Sequence, residues 1–220
     1  MQKQYNLYLV NWLFLAIIIF NFSCTRIESF QVKNGDLLFQ DLDSSPLCDA
    51  IEKVTSGFNN LNFSHVGVVV IINNQEYVLE AFINGVDTIS LEAFLERSLA
   101  NNNKPKVVVG RLKSQYSTLI PKALNLGMSL MGKKYDVEFK INNDKFYCSE
   151  LIYDIFWNAN NQKGVFNLHP MTYKYNGETI DIWIDYFNEL GIPIPENEPG
   201  INPGSISLSN KIDIIHNYAN

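Results

Sequence analysis

The hydrophobic pattern of this chain changes period several times, and each change predicts an element. Residues 66–72 read Val-Gly-Val-Val-Val-Ile-Ile, a β-branched run that is the strongest strand signature in the sequence. Asn73-Asn74 interrupts it, and Gln75–Phe82 (QEYVLEAF) reads as the returning strand of a hairpin. Residues 36–40 and 106–113 are further short apolar strands. Elsewhere the apolar positions take helical spacing. A short helix follows Ser44-Ser45-Pro46 and stops at Gly57. A second runs over 90–100 behind a Ser90 cap. A third covers 117–132, with Pro121 in its first turn and Gly132 at its end. A fourth begins near Cys148 and is amphipathic from Leu151 on. Residues 133–144 read as irregular, 191–204 as too rich in Pro and Gly for regular structure, and 205–218 as one last strand or hairpin. No internal repeat is present. The mixture predicts an α+β fold with an antiparallel sheet packed by helices.

The first 23 residues break this pattern. They hold one lysine, Lys3, no acid, and an apolar run to Phe22 interrupted mainly by Asn11. That is the form of an export signal. Ser23 precedes Cys24, the order used in lipoprotein processing, where the cysteine is acylated and becomes the first residue. Asn21 stands where such sites usually carry leucine. Plain secretion and an uncleaved apolar helix are the other readings, since Tyr5 to Phe22 approaches the ~20 residues that span a bilayer. All three export the rest of the chain. The expectation is a leader over 1–23 and a single domain over 24–220, anchored to a cell-envelope membrane through lipid on Cys24.

Charge narrows the partners. The full chain has a net charge of -6. Without the leader, 16 Lys and Arg stand against 23 Asp and Glu, a net of -7. There is no basic run, so the composition speaks against nucleic acid as a partner and against electrostatic adhesion to anionic lipid.

Beyond Cys24 two cysteines remain, Cys48 and Cys148. A pair could form a disulfide in an exported protein. Cys148 alone could be a small core residue. It could also be a nucleophile, because a helix N-terminus favours thiolate and its free N–H groups can hold an oxyanion. A nucleophile needs a base, and the chain has three histidines: His65, His169 and His216. His65 opens the 66–72 strand. With a two-residue loop at Asn73-Asn74, Ile72 faces Gln75, Gly67 faces Glu80 and His65 faces Phe82. Glu80 is then a same-face diagonal neighbour of His65, about 7–8 Å away at the backbone and within reach of a carboxylate that orients the ring. Each residue also has a plain reading: a core cysteine, a strand-end histidine, a solvent-facing glutamate.

The order of motifs adds a resemblance. NGDLLFQ (34–40), SHVGVVV (64–70), VLEA (78–81), GKKYDVEF (132–139) and YCSELIYDIF (147–156) are similar to the circularly permuted branch of the NlpC/P60 papain-like superfamily, and within it to the YiiX/YaeF-like permuted amidases. The likeness spans about 33–215. It implies a permuted papain-like fold, a small sheet or barrel packed on the cysteine-bearing helix. By motif match it implies Cys148 as nucleophile, His65 as base, Glu80 as orienter and Tyr135 as a hydroxyl beside the cysteine, with Gly35-Asp36 structural. The implied activity is amide or ester hydrolysis through a thioester, without metal or cofactor. The implied substrates are cell-wall peptides, small N-acyl compounds or lipid acyl groups. A lipid-directed acyltransferase or hydrolase is the second reading, and a non-catalytic binding lipoprotein is the alternative from another class.

Overall fold

The computed structural model describes residues 30–220. The leader and Cys24 lie outside the described residues. In chain order the elements are β1 (Leu37–Gln40), α1 (Pro46–Val54), β2 (His65–Ile72), β3 (Gln75–Phe82), β4 (Gly85–Ser90), α2 (Leu91–Glu96), β5 (Val107–Leu112), α3 (Ile120–Ser129) and α4 (Cys148–Ala159). After these come the short strands β6 (His169–Pro170), β7 (Lys174–Tyr175) and β8 (Glu178–Thr179), then α5 (Asp181–Leu190), β9 (Pro199–Gly200), α6 (Pro203–Ser207) and β10 (Ile212–Asn217). Six strands form one antiparallel sheet in the order β10-β5-β1-β2-β3-β4. Among the described residues no helix is long and apolar enough to cross a membrane.

The β2–β3 hairpin closes as its sequence predicts. Asn73 and Asn74 both take positive φ, 51° and 61°, the left-handed conformation that a two-residue type I′ turn needs and that Asn tolerates. Ile72 faces Gln75, and the register holds through Val68 opposite Leu79. Val66, Val68, Leu79 and Ala81 enter the main core with Leu151, Ile152, Ile155 and Phe156 of α4. Leu38, Val69, Val78, Val109 and the α2 residue Phe94 are fully buried as well. Burial on both faces explains why β2 reads as a continuous apolar run and not as an alternation.

Helix α4 packs on β2 and β3 and against α3. Gly127 permits that approach: a Cβ there would lie 2.4 Å from Leu79 Cδ2. Helix α5 adds an aromatic cluster in which Trp183, Tyr186 and Phe187 meet Phe139 and Tyr173. Asp36 is buried and forked by Arg111 at 2.7 Å on each oxygen, which ties β1 to β5 and fits the structural reading of Gly35-Asp36.

Several boundaries move. The helix expected over 90–100 ends at Glu96, and the one expected over 117–132 is a 3-10 turn followed by α3. Residues 203–207 form a helix, although the Pro and Gly content of 191–204 pointed to irregular chain. Pro203 sits at its first turn, where a missing N–H costs nothing, and Asn202 caps it. Cys48 and Cys148 are both free thiols, so no disulfide joins them.

Candidate active site

Cys148 is the first residue of α4, behind Tyr147 at the N-cap. The segment is gripped on both sides. Tyr147 Oη accepts from the Ile201 N–H at 3.1 Å, and Ser149 Oγ donates to the Ile201 carbonyl at 2.9 Å. Tyr135 is held beside the same entry by a β-bridge to Phe146. Cys148 and Tyr135 line one cavity.

His65 begins β2 and is 3% exposed. Its ring packs edge-on to Phe82 at 5.1 Å and lies 5.9 Å from Phe94. Nε2 meets Glu80 Oε2 at 2.6 Å. Cys148 acts on the same imidazole through hydrogen bonding and charge, both of which raise it. The register that placed Glu80 and His65 on one face therefore brings them together. Gly67 gives the pair room, since a Cβ there would stand 2.4 Å from Val78 Cγ1 and 3.4 Å from Glu80 Cβ.

One partner was not visible in the sequence. Arg97, at the end of α2, forks Glu80, with Nη1 at 2.9 Å from Oε2 and Nη2 at 2.5 Å from Oε1. Its guanidinium lies 4.2 Å from the centre of the Phe82 ring, a cation–π contact. In the helical pattern of 90–100 it counts only as a polar position.

The electrostatics follow from this chain of contacts. Burial alone would lower His65, but the hydrogen bonds to Cys148 and Glu80 and their negative charge lift it from 6.5 to about 9. Burial alone would raise Glu80, but His65 and Arg97 bring it down to about 2. The Tyr135 hydroxyl is pushed well above its usual value by burial and by the charge of Cys148, so it stays a donor.

Glu150, in the first turn of α4, is buried near Asp136, and burial with that neighbouring charge raises it to about 8. Its raised value means that its contribution to stability is complete below 4.5 and is lost as pH rises through about 8. Glu150→Gln keeps an acceptor for the Tyr147 N–H and cannot ionise. The variant is expected to gain on the order of 2 kcal/mol over wild type between pH 6 and pH 9. Denaturation midpoints at the two pH values check this.

The cavity beside Cys148 has a volume of about 120 Å³ and largely apolar walls, including Ile51, Tyr147, Met171, Tyr173, Trp183 and Ile201. Residues 169–173 supply part of that wall. His169 lies there too, whereas His65 is the histidine on which Cys148 acts. His216 is in β10, at the far edge of the sheet.

Residues 31–216 match the profile of the permuted papain-like amidase family, YaeF/YiiX, C92. The chain is 31% identical to the protein YiiX of Escherichia coli (strain K12) over 132 residues, which span 60% of each chain. A crystal structure described as metalloprotein yiiX from Escherichia coli O157:H7 superposes with a TM-score of 0.69 at 23% identity, covering 86% of this chain and 98% of that one. The chain thus belongs to the permuted papain-like amidase family.

Proposed function

We propose that this protein is a cysteine amidase or esterase in which Cys148 is the nucleophile. The observation that carries the reading is His65, hydrogen-bonded to Glu80 and raised by the thiol of Cys148 at a helix N-terminus. His65 takes the Cys148 proton, and the thiolate attacks an amide or ester carbonyl. The N–H groups of the first turn of α4 and the Tyr135 hydroxyl hold the oxyanion. His65 then protonates the departing amine or alkoxide, leaving a thioester. Water, deprotonated by His65, releases the acid and restores the thiol. Glu80 keeps the ring oriented and stabilises its charged form.

The yiiX crystal structure is described as that of a metalloprotein. Here His65 Nε2 is committed to Glu80 at 2.6 Å, and the Glu80 carboxylate is forked by Arg97. Among the described residues no three His, Cys, Asp or Glu side chains converge to hold a metal ion. This donor set does not fit a metal, and no step is routed through one.

The cavity bears on the substrate. At about 120 Å³ it is close to the ~150 Å³ engineered cavity that takes up benzene, so its enclosed part takes a short acyl group or one side chain. That favours a peptide or small N-acyl amide over a long lipid tail. The test is alkylation by iodoacetamide followed by peptide mapping. Cys148 is expected to react and Cys48, buried beside Ser44 and Ser45, to stay intact. Preferential reaction at Cys48 contradicts the proposal.

We also infer export and a lipid anchor at Cys24, on the strength of the leader. Metabolic labelling with palmitate should mark the protein, and Cys24→Ser should abolish the mark. Undiminished labelling of that variant would count against the anchor.

A further inference from the structure

The cavity wall carries a hydrogen-bonding pattern that an apolar tail would not use. Asn202 Oδ1 accepts from the Ser205 N–H at 2.7 Å, which fixes the orientation of the amide. Its Nδ2 therefore faces His169 Nε2, 3.1 Å away, and donates to it. His169 must carry its proton on Nδ1, a donor with no partner among the described residues. Two further residues of the same cavity have unpartnered polar atoms: the Tyr173 hydroxyl and the Trp183 indole N–H, each on a side chain 2% exposed. An indole N–H can only donate. No Lys, Arg, Asp or Glu lines the cavity. Donors without a cation suit a neutral acceptor, because an anion buried there would lack a counter-charge.

Resting on the proposed function, the geometry points to a subsite for a second carbonyl of the substrate, an amide or ester group apart from the one attacked, with His169 as the residue that binds it. An unbroken alkyl chain of the same length leaves these donors unpaired.

The test uses two chloroacetamides of matched length on the full chain: N-pentylchloroacetamide, and the chloroacetyl derivative of glycine ethylamide, which places an amide in the same chain. Labelling rates at Cys148 are followed by mass spectrometry. The amide probe is expected to react about fivefold faster or more, as one added hydrogen bond allows. His169→Leu should reduce that preference to about one. The ratio is read on the folded fraction isolated by size exclusion, because unfolded chain labels equally with both probes and would pull the ratio toward one. Equal rates in wild type, or a ratio unchanged by His169→Leu, overturn the subsite and leave the nucleophile standing. Labelling of Cys148 by neither probe overturns both.

Discussion

Cys148→Ala is expected to lower kcat by ~10³-fold or more, the scale seen when a covalent nucleophile is removed. The loss should be chemical and not structural. The thiol is 6% exposed among apolar neighbours, and trimming one sulfur from such a site costs about 1 kcal/mol. The neighbouring Ser149 cannot substitute, since its hydroxyl is committed to the Ile201 carbonyl. Turnover of an amide or ester substrate, measured beside the thermal midpoint, separates the two effects. Retained turnover in a folded variant would remove Cys148 from the mechanism.

Glu80→Gln should have the second largest effect, and it acts through pH. The carboxylate is what keeps His65 at about 9 in a buried site, together with Cys148. A neutral amide preserves much of the shape but not the charge. kcat/KM is expected to fall by ~10²–10⁴-fold, the range for disabling a positioned base and its orienter. The alkaline limb of the profile should move from about 9 toward 6.5. Stability follows with a definite sign. The raised His65 contributes stability that is complete below 6.5 and lost as pH rises through about 9. The lowered Glu80 contributes stability present above 4.5 and lost as pH falls through about 2. Glu80→Gln should flatten both edges, and Arg97 would then face a neutral partner in place of a carboxylate. Unfolding midpoints from pH 3 to pH 10 test this. A profile parallel to wild type would show that the charge of Glu80 does not support the ring.

The hairpin was the most legible part of the molecule. Its turn type, register and the shared face of His65 and Glu80 all follow from Asn73-Asn74 and from the two-residue period of a strand. The start of α4 was legible because Cys148 precedes a clear amphipathic run. Strand β4 was not, because Gly85–Ser90 (GVDTIS) has weak alternation and is a strand by virtue of pairing with β3. Helix α5 did carry signals, with Asp181 in its first turn and Gly191 at φ 69° behind it, but the pattern reading assigned nothing there. Arg97 and the His169–Asn202 pair were out of reach for another reason. Their partners are distant in the chain, and no local period encodes a contact between a helix end and a strand, or between two loops.

The order of the elements has a consequence for when the thiol becomes reactive. His65 and Glu80 are only 15 residues apart and are joined by a tight hairpin, so closing that pair costs little chain entropy. Cys148 reaches them from much farther along the chain, after α2, β5 and α3 have been made. The base and its orienter can form early and wait, whereas the cysteine meets them only on completion of long-range packing, the slow class of contact in folding. An unfinished chain thus carries an ordinary thiol. Under the export proposed above, reactivity would be switched on by the last assembly step.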